Sequence, residues 1–212
     1  MAGHPSTAED LVLHGPRVLG FASAHRIAAR YGLNADEVED RLLELGAKGW
    51  VSHSRFADTS GWHLTDAGRK EDERRLATEL DLVGARETVV VAHRTFVPLN
   101  RSFQSACTDW QMRPTTRDPM AVNDHSDWGW DERVFRALES IERRLSTVTE
   151  PLVGALQRFD GYAARYSAAL AKVNAAQPRW IAAPEVDSCH TVWIQLHEDL
   201  LATLGIPRGD NG

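Results

Sequence analysis

Three short segments of this 212-residue chain concentrate side chains that could do chemistry. Thr108-Asp109-Trp110-Gln111 brings polar and aromatic groups together at a helix end. Asn123-Asp124-His125-Ser126-Asp127-Trp128 lies in a long loop rich in Pro, Asp and Asn. The third segment runs Ser188-Cys189-His190-Thr191-Val192-Trp193-Ile194-Gln195-Leu196-His197-Glu198-Asp199. At helical spacing His190, Trp193, Ile194, His197, Leu200 and Leu201 share one face, so two histidines stand in an otherwise apolar stripe. Imidazoles and carboxylates of this kind exchange protons near neutral pH, which makes Asp124, His125, His190 and Glu198 candidate acid/base groups. Aromatic rings beside a few polar groups also make a small-molecule pocket. The set expected to hold such a ligand is Trp110, Gln111, Asn123, Asp124, His125, His190, Trp193, His197 and Glu198.

Other chemistries find less support. His190 and His197 are seven residues apart, about 10.5 Å along a helix, too far to share one ion. An HxxxH pair would fit a metal; a core histidine bonded to a carboxylate or carbonyl is the commoner explanation here. Neither Cys107 nor Cys189 belongs to a CxxC, and both read as small buried residues rather than nucleophiles. Gly129, Gly154 and Gly161 are isolated, so no phosphate-cradling loop is present. No Ser/His/Asp set has diagnostic spacing. We therefore assign no catalytic residue, metal or cofactor, and read the chain as a binding protein rather than an enzyme.

These segments need elements to position them. Ala8–Phe21 reads as a first helix, with Gly15-Pro16 suggesting a kink or a late start. Ser23 is a natural N-cap for a second helix ending at Gly32, and Asn34 for a third carrying Val38, Leu42 and Leu45 inward. Trp50-Val51 and Trp62-His63-Leu64 read as two strands joined by Phe56–Gly61. Thr65 or Asp66 then caps a fourth helix. Beyond residue 70 no period-2 pattern appears. Helices are expected from Leu80 to about Val97, ending or kinking at Pro98, and from Leu99 to Met112. The most regular stripe follows: Val134, Leu138, Ile141, Leu145, Val148, Leu152, Leu156 and Phe159, with Pro151 as a kink or a new start. Further helices are expected over Asp160–Ala176 and Val186–Leu204, giving a bundle of five or six. The fold class is mainly α with a small β wing. Residues 1–80 form one domain and residues 81–212 a helical dimerisation and ligand-binding domain.

The order helix-turn-helix, strand, turn, strand, helix, closed by Leu64-Thr65-Asp66-Ala67-Gly68-Arg69, resembles the winged helix-turn-helix regulators of the MarR and PadR type. That resemblance implies a third helix in the DNA major groove, with phosphates held by nearby cations. On this chain the implied DNA contacts are Ser23, His25, Arg26, Asn34, Arg41, Arg55 and Arg69, with Arg30 a further phosphate candidate. The whole-chain pattern is also similar to a bacterial family joining a winged helix to a helical domain. Its members carry Asp-Trp-Gln, Asn-Asp-His and His-Thr-Val-Trp-x-x-Leu-His-Glu-Asp-Leu segments, and related modules accompany phosphoenolpyruvate-utilising enzymes.

Charge works against the groove assignment. Residues 1–80 carry 10 Lys+Arg and 13 Asp+Glu, and the rest carries 14 and 17, so neither part is basic. The outward face of the third helix offers Asp36, Glu37, Asp40 and Glu44 beside Asn34 and Arg41. The sequence thus supports a ligand-responsive, homodimeric, DNA-binding transcriptional regulator. The alternative is a winged-helix scaffold that no longer binds DNA, with the helical domain working as an enzyme or an accessory subunit of a phosphoenolpyruvate-type enzyme. No apolar run approaches the ~18 residues of a membrane span, and the first ten residues lack signal-peptide character. A cytoplasmic protein without membrane contact is expected.

Overall fold

The computed structural model describes residues 3–56 and 59–207. It is mainly helical, with one two-stranded antiparallel sheet. The first elements are α1 (Ala8–Leu19), α2 (Ala24–Tyr31), α3 (Ala35–Ala47), β1 (Val51–Phe56), β2 (Thr59–Leu64) and α4 (Asp66–Leu82). Then come α5 (Arg86–Gln111), α6 (Trp128–Ala155), α7 (Tyr162–Asn174) and α8 (Cys189–Leu204), with 3-10 turns at Gln157–Phe159 and Pro178–Ile181. The chain forms two compact units. One takes the described parts of residues 1–90, 152–159 and 195–212, the other residues 91–151 and 160–194.

In the first unit, local chemistry places each helix start. Thr7, Ser23, Asn34 and Thr65 each take an extended backbone and accept a backbone N–H from the first turn of α1, α2, α3 and α4. Gly32 ends α2 in the left-handed conformation, which costs a side-chain-free residue nothing. Pro16 lies within α1 rather than interrupting it. Its neighbour Gly15 lets α2 approach closely, because a Cβ there would meet the Ile27 side chain at 2.7 Å. Val12, Leu13, Ile27, Val38, Leu42, Leu45, Val51 and Trp62 form the core.

The strands reach further than the sequence reading allowed. Val51 pairs with Leu64 and the ladder continues to Phe56 opposite Thr59. Of the expected connection, Phe56 and Thr59–Gly61 are strand, while Ala57 and Asp58 lie outside the described residues. Ala22 and Trp62 exchange two backbone hydrogen bonds, at 2.8 and 3.1 Å, which ties the sheet to the start of α2. The Leu-Thr-x-x-Gly-Arg segment has a local explanation. Thr65 Oγ1 accepts from Gly68 N at 3.0 Å and lies 2.6 Å from the Gly49 carbonyl oxygen, to which it donates. A Cβ on Gly68 would stand 1.8 Å from the Trp50 carbonyl oxygen, so only glycine fits.

Beyond residue 80 the helices of the described residues are fewer and longer than the expected five or six. The break after α4 falls at Gly84, whose φ is +62°, with Ala85 N donating back to the Leu80 carbonyl. Pro98 and Pro151 lie inside α5 and α6. Both prolines are exposed. A proline on the solvent face leaves its orphaned carbonyl to water, so the helix continues. The Val134–Phe159 stripe is buried throughout. Phe96, Phe103, Tyr166 and Trp193 are buried in the second unit. Trp193 lies between Phe96 and Phe103, with ring centroids 4.8 and 4.7 Å away, and donates Nε1–H to Asn100 Oδ1 at 2.8 Å.

Candidate functional site

The end of α5, the loop after it and the start of α6 build one site in the second unit. The loop folds back because Asn123 N donates to the Gln111 carbonyl at 2.9 Å and Arg113 N to the Ala121 carbonyl at 2.9 Å. Asn123 is buried and acts at both ends. Its Oδ1 accepts from His125 N at 3.1 Å, and its Nδ2 lies 2.8 Å from Asp131 Oδ1 and 3.2 Å from the Trp110 carbonyl oxygen. His125 is thereby held at φ +57°, a conformation rarely taken by a residue with a side chain. Asp127 caps α6, accepting from Trp130 N at 3.2 Å, and pairs with Arg113 at 2.8 Å. The Asn-Asp-His-Ser-Asp-Trp segment is thus a loop closure that aims one imidazole.

That imidazole lies over the Trp110 indole, with centroids 4.0 Å apart, and its Nδ1 lies 3.0 Å from the buried Asp131 carboxylate. An Asp–His pair of this kind fixes the ring and leaves Nε2 as its working atom. Trp110, His125 and Asp131 open onto a cavity of about 940 Å³. Trp128 and Phe135 line it further, packed edge-on with centroids 5.9 Å apart, and so do Val173, Pro178 and Ala182. Its size suits a drug-sized ligand.

The nine residues expected to hold a ligand fall in both units. Trp110 and His125 line the cavity, and Asn123 sets their geometry. Gln111 contributes its backbone carbonyl while its side chain is exposed. Asp124 is exposed and accepts from the Ser126 N–H and hydroxyl. Trp193 is enclosed in the aromatic core, and His190 lies parallel to Phe103 at 6.2 Å, where burial lowers its pKa. Ile194 is 41% exposed and leaves the expected stripe. His197 is half-buried, in the first unit. Glu198 is buried there and accepts from Arg17 Nε. Burial pushes both Cys107 and Cys189 up to about 12, which keeps the thiols protonated and non-nucleophilic at neutral pH.

The residues expected on DNA also divide. His25, Arg26 and Arg55 are exposed, Arg41 is half-buried, and Arg69 is exposed with Nη1 3.9 Å from Glu198. The Ser23 and Asn34 oxygens are engaged as caps of α2 and α3. Arg30 turns inward and donates to the Arg158 carbonyl at 3.0 Å. The exposed face of α3 carries Asp36, Glu37, Asp40, Glu44 and Leu43.

Sequence reasoning missed a second cluster, inside the first unit. His14 lies 3.1 Å from Asp72 and 3.2 Å from Asp199, all three essentially buried. Arg158, also buried, donates to Asp199 and Thr203 and pairs with Glu79 at 3.3 Å. Burial alone would discharge His14, but Asp72 and Asp199 outweigh it and raise its pKa to about 9. Burial would likewise protonate Asp199, but Arg158 and His14 hold it down at about 2. The partners are 58, 41 and 185 positions apart in sequence, so no local pattern announces them. Asp131 and Phe135 were missed as well, and Trp128, singled out with its segment, was left out of the expected ligand set.

Among the described residues no group of three or more His, Cys, Asp or Glu side chains is arranged to hold a metal ion. No described helix is long and apolar enough to cross a membrane. Compared with protein-family models, characterised proteins and solved structures, the chain matches none.

Proposed function

We propose that this protein is a ligand-responsive regulator that binds double-stranded DNA as a homodimer through a winged helix, with its effector site at the Trp110–His125 cavity. The observation that carries this reading is the element order. Two capped helices, α2 and α3, lead directly into the β1–β2 hairpin and α4, and Arg26, Arg41 and Arg55 remain accessible on α2, α3 and β1. In such a fold α3 enters the major groove and the hairpin lies against phosphates. Two copies are required on energetic grounds: a single acidic module binds DNA weakly, and a second half-site adds affinity through effective concentration. The effector acts by binding more tightly to one of two spacings of the paired α3 helices.

The test is binding of the purified protein to its own upstream DNA at low and moderate salt, read by anisotropy. Specific binding that weakens with salt is expected, and Arg41→Ala with Arg55→Ala should reduce it at least tenfold, since each removes a cation from the interface. Equal binding by the double variant would overturn the groove assignment.

One observation favours a second reading. Asp36, Glu37, Asp40 and Glu44 make the exposed face of α3 acidic, and Asn34 is already engaged as its cap. On that reading the winged helix is a scaffold, and the Asp131–His125 pair serves acid/base chemistry or a partner enzyme. No binding to any DNA at low salt would select it.

A further inference from the structure

We infer that the Trp110–His125 cavity takes a lipophilic organic cation: a protonated amine, or a quaternary ammonium or phosphonium ion, carrying an apolar body. This rests on the reading of that cavity as the effector site and adds the chemical class of the effector.

Two observations lead to it. The first is the balance of charge around the cavity. Five formally charged side chains line it besides His125: Asp131, Glu132, Glu139, Arg136 and Arg179. Both arginines already have carboxylates of their own. Arg136 donates to Glu132 at 2.5 Å and Arg179 to Glu185 at 3.4 Å. Glu139 meets only the Asn174 amide, at 3.4 Å, among the described residues. Among the described residues Asp131 meets the Asn123 amide and the His125 ring, not a guanidinium. The uncompensated charge of the lining is therefore negative. An anionic ligand would have to displace Glu132 or Glu185 from its arginine, whereas a cation finds Glu139 available.

The second observation is the nature of the walls. Two indoles and a phenyl ring, from Trp110, Trp128 and Phe135, stand beside these carboxylates. Aromatic rings attract a cation through their quadrupole, and more strongly where water is excluded. Trp128, one of the two indoles of the lining, is 69% exposed. Its neighbour Phe135 leaves that indole largely open to a ligand. Val173, Pro178 and Ala182 supply apolar surface for the rest of the molecule.

The experiment compares two ions of one shape and opposite charge on the full chain without DNA. Tetraphenylphosphonium and tetraphenylborate are titrated into the protein by isothermal calorimetry. The phosphonium is expected to bind at least tenfold more tightly than the borate. Trp128→Ala should weaken the cation about tenfold with an unchanged thermal transition, because the indole is exposed. Glu139→Gln should weaken it several-fold and narrow the gap between the ions. Equal or tighter binding of the borate, binding of neither ion, or a cation affinity indifferent to both variants overturns the inference. Because no DNA is present, a protein that selects the cation but ignores its upstream DNA sinks the regulator reading and leaves this one standing. DNA binding with no preference for the cation does the reverse.

Discussion

His14 and Asp199 share one buried site with Arg158, and their pKa values move in opposite directions. His14 rises from 6.5 to about 9, so folding holds a proton that the unfolded chain releases above pH 6.5. Its contribution to stability is complete below pH 6.5 and is lost as pH rises through about 9. Asp199 falls from 3.8 to about 2, so its contribution is present above pH 3.8 and is lost as pH falls through about 2. Between pH 6.5 and 9 the thermal midpoint is expected to drop, with a loss of about 3 kcal/mol for a shift of this size. In His14→Gln the midpoint should be lower at neutral pH and nearly flat across that window, as read by circular dichroism; an unchanged slope would assign the drop elsewhere. Glycines allow a second test at this scale. Gly68→Ala drives a methyl into the Trp50 carbonyl and is expected to cost about 1–3 kcal/mol or more. Gly46→Ala, on α3, places its methyl 3.4 Å from the Trp62 ring, an ordinary contact, and should instead stabilise by about 0.5–1 kcal/mol. Denaturant unfolding of the pair checks both signs.

Among the elements, α5 and α6 run on where a proline suggested a stop or a kink. For α6, sequence periodicity had already described the buried face, since Val134 through Phe159 kept one stripe across Pro151. Proline removes one hydrogen bond in any helix, yet the cost depends on which way the residue faces. Pro98 faces solvent, so the Arg94 carbonyl can bond to water. Pro98→Ala restores the N–H donor and is expected to raise stability, by at most about 3 kcal/mol, in urea unfolding. A loss of stability would show that the proline sets a bend on which the packing of Phe96 and Phe103 depends. The caps of α2, α3 and α4 were legible for a simpler reason: Ser23, Asn34 and Thr65 satisfy backbone groups two or three residues away, within the same local stretch.

At the scale of the whole molecule, the unit containing α1 to α4 and the hairpin is not one continuous stretch of chain. It includes residues 152–159 and 195–207, and these bring Arg158, Glu198 and Asp199 to His14, Arg17 and Asp72. Removing one side of a buried ion cluster leaves uncompensated charge, which costs about 3–5 kcal/mol for a single pair. A fragment of residues 1–90 is therefore expected to lack a cooperative thermal transition, although it holds α1 to α4 and the hairpin. A sharp transition in that fragment would show the cluster to be dispensable. The same reasoning bears on any DNA-binding assay: it should use the full chain, since the short fragment would fail for want of a fold.

By itself the sequence determined the kind and order of the first elements, the buried stripe of α6 and the clustering of Trp110, Asn123 and His125. These follow from short-range physics: helical spacing, caps, and the sixteen-residue loop between α5 and α6. The tertiary structure alone decided which charges meet. It assigned Asp131 to His125 and Asp199 to His14 and Arg158, enclosed Trp193 between two rings, and left Trp128 open beside Glu139. Such pairings depend on chain closure over tens to hundreds of residues. A side chain's spacing along the chain carries no record of its partner across the fold.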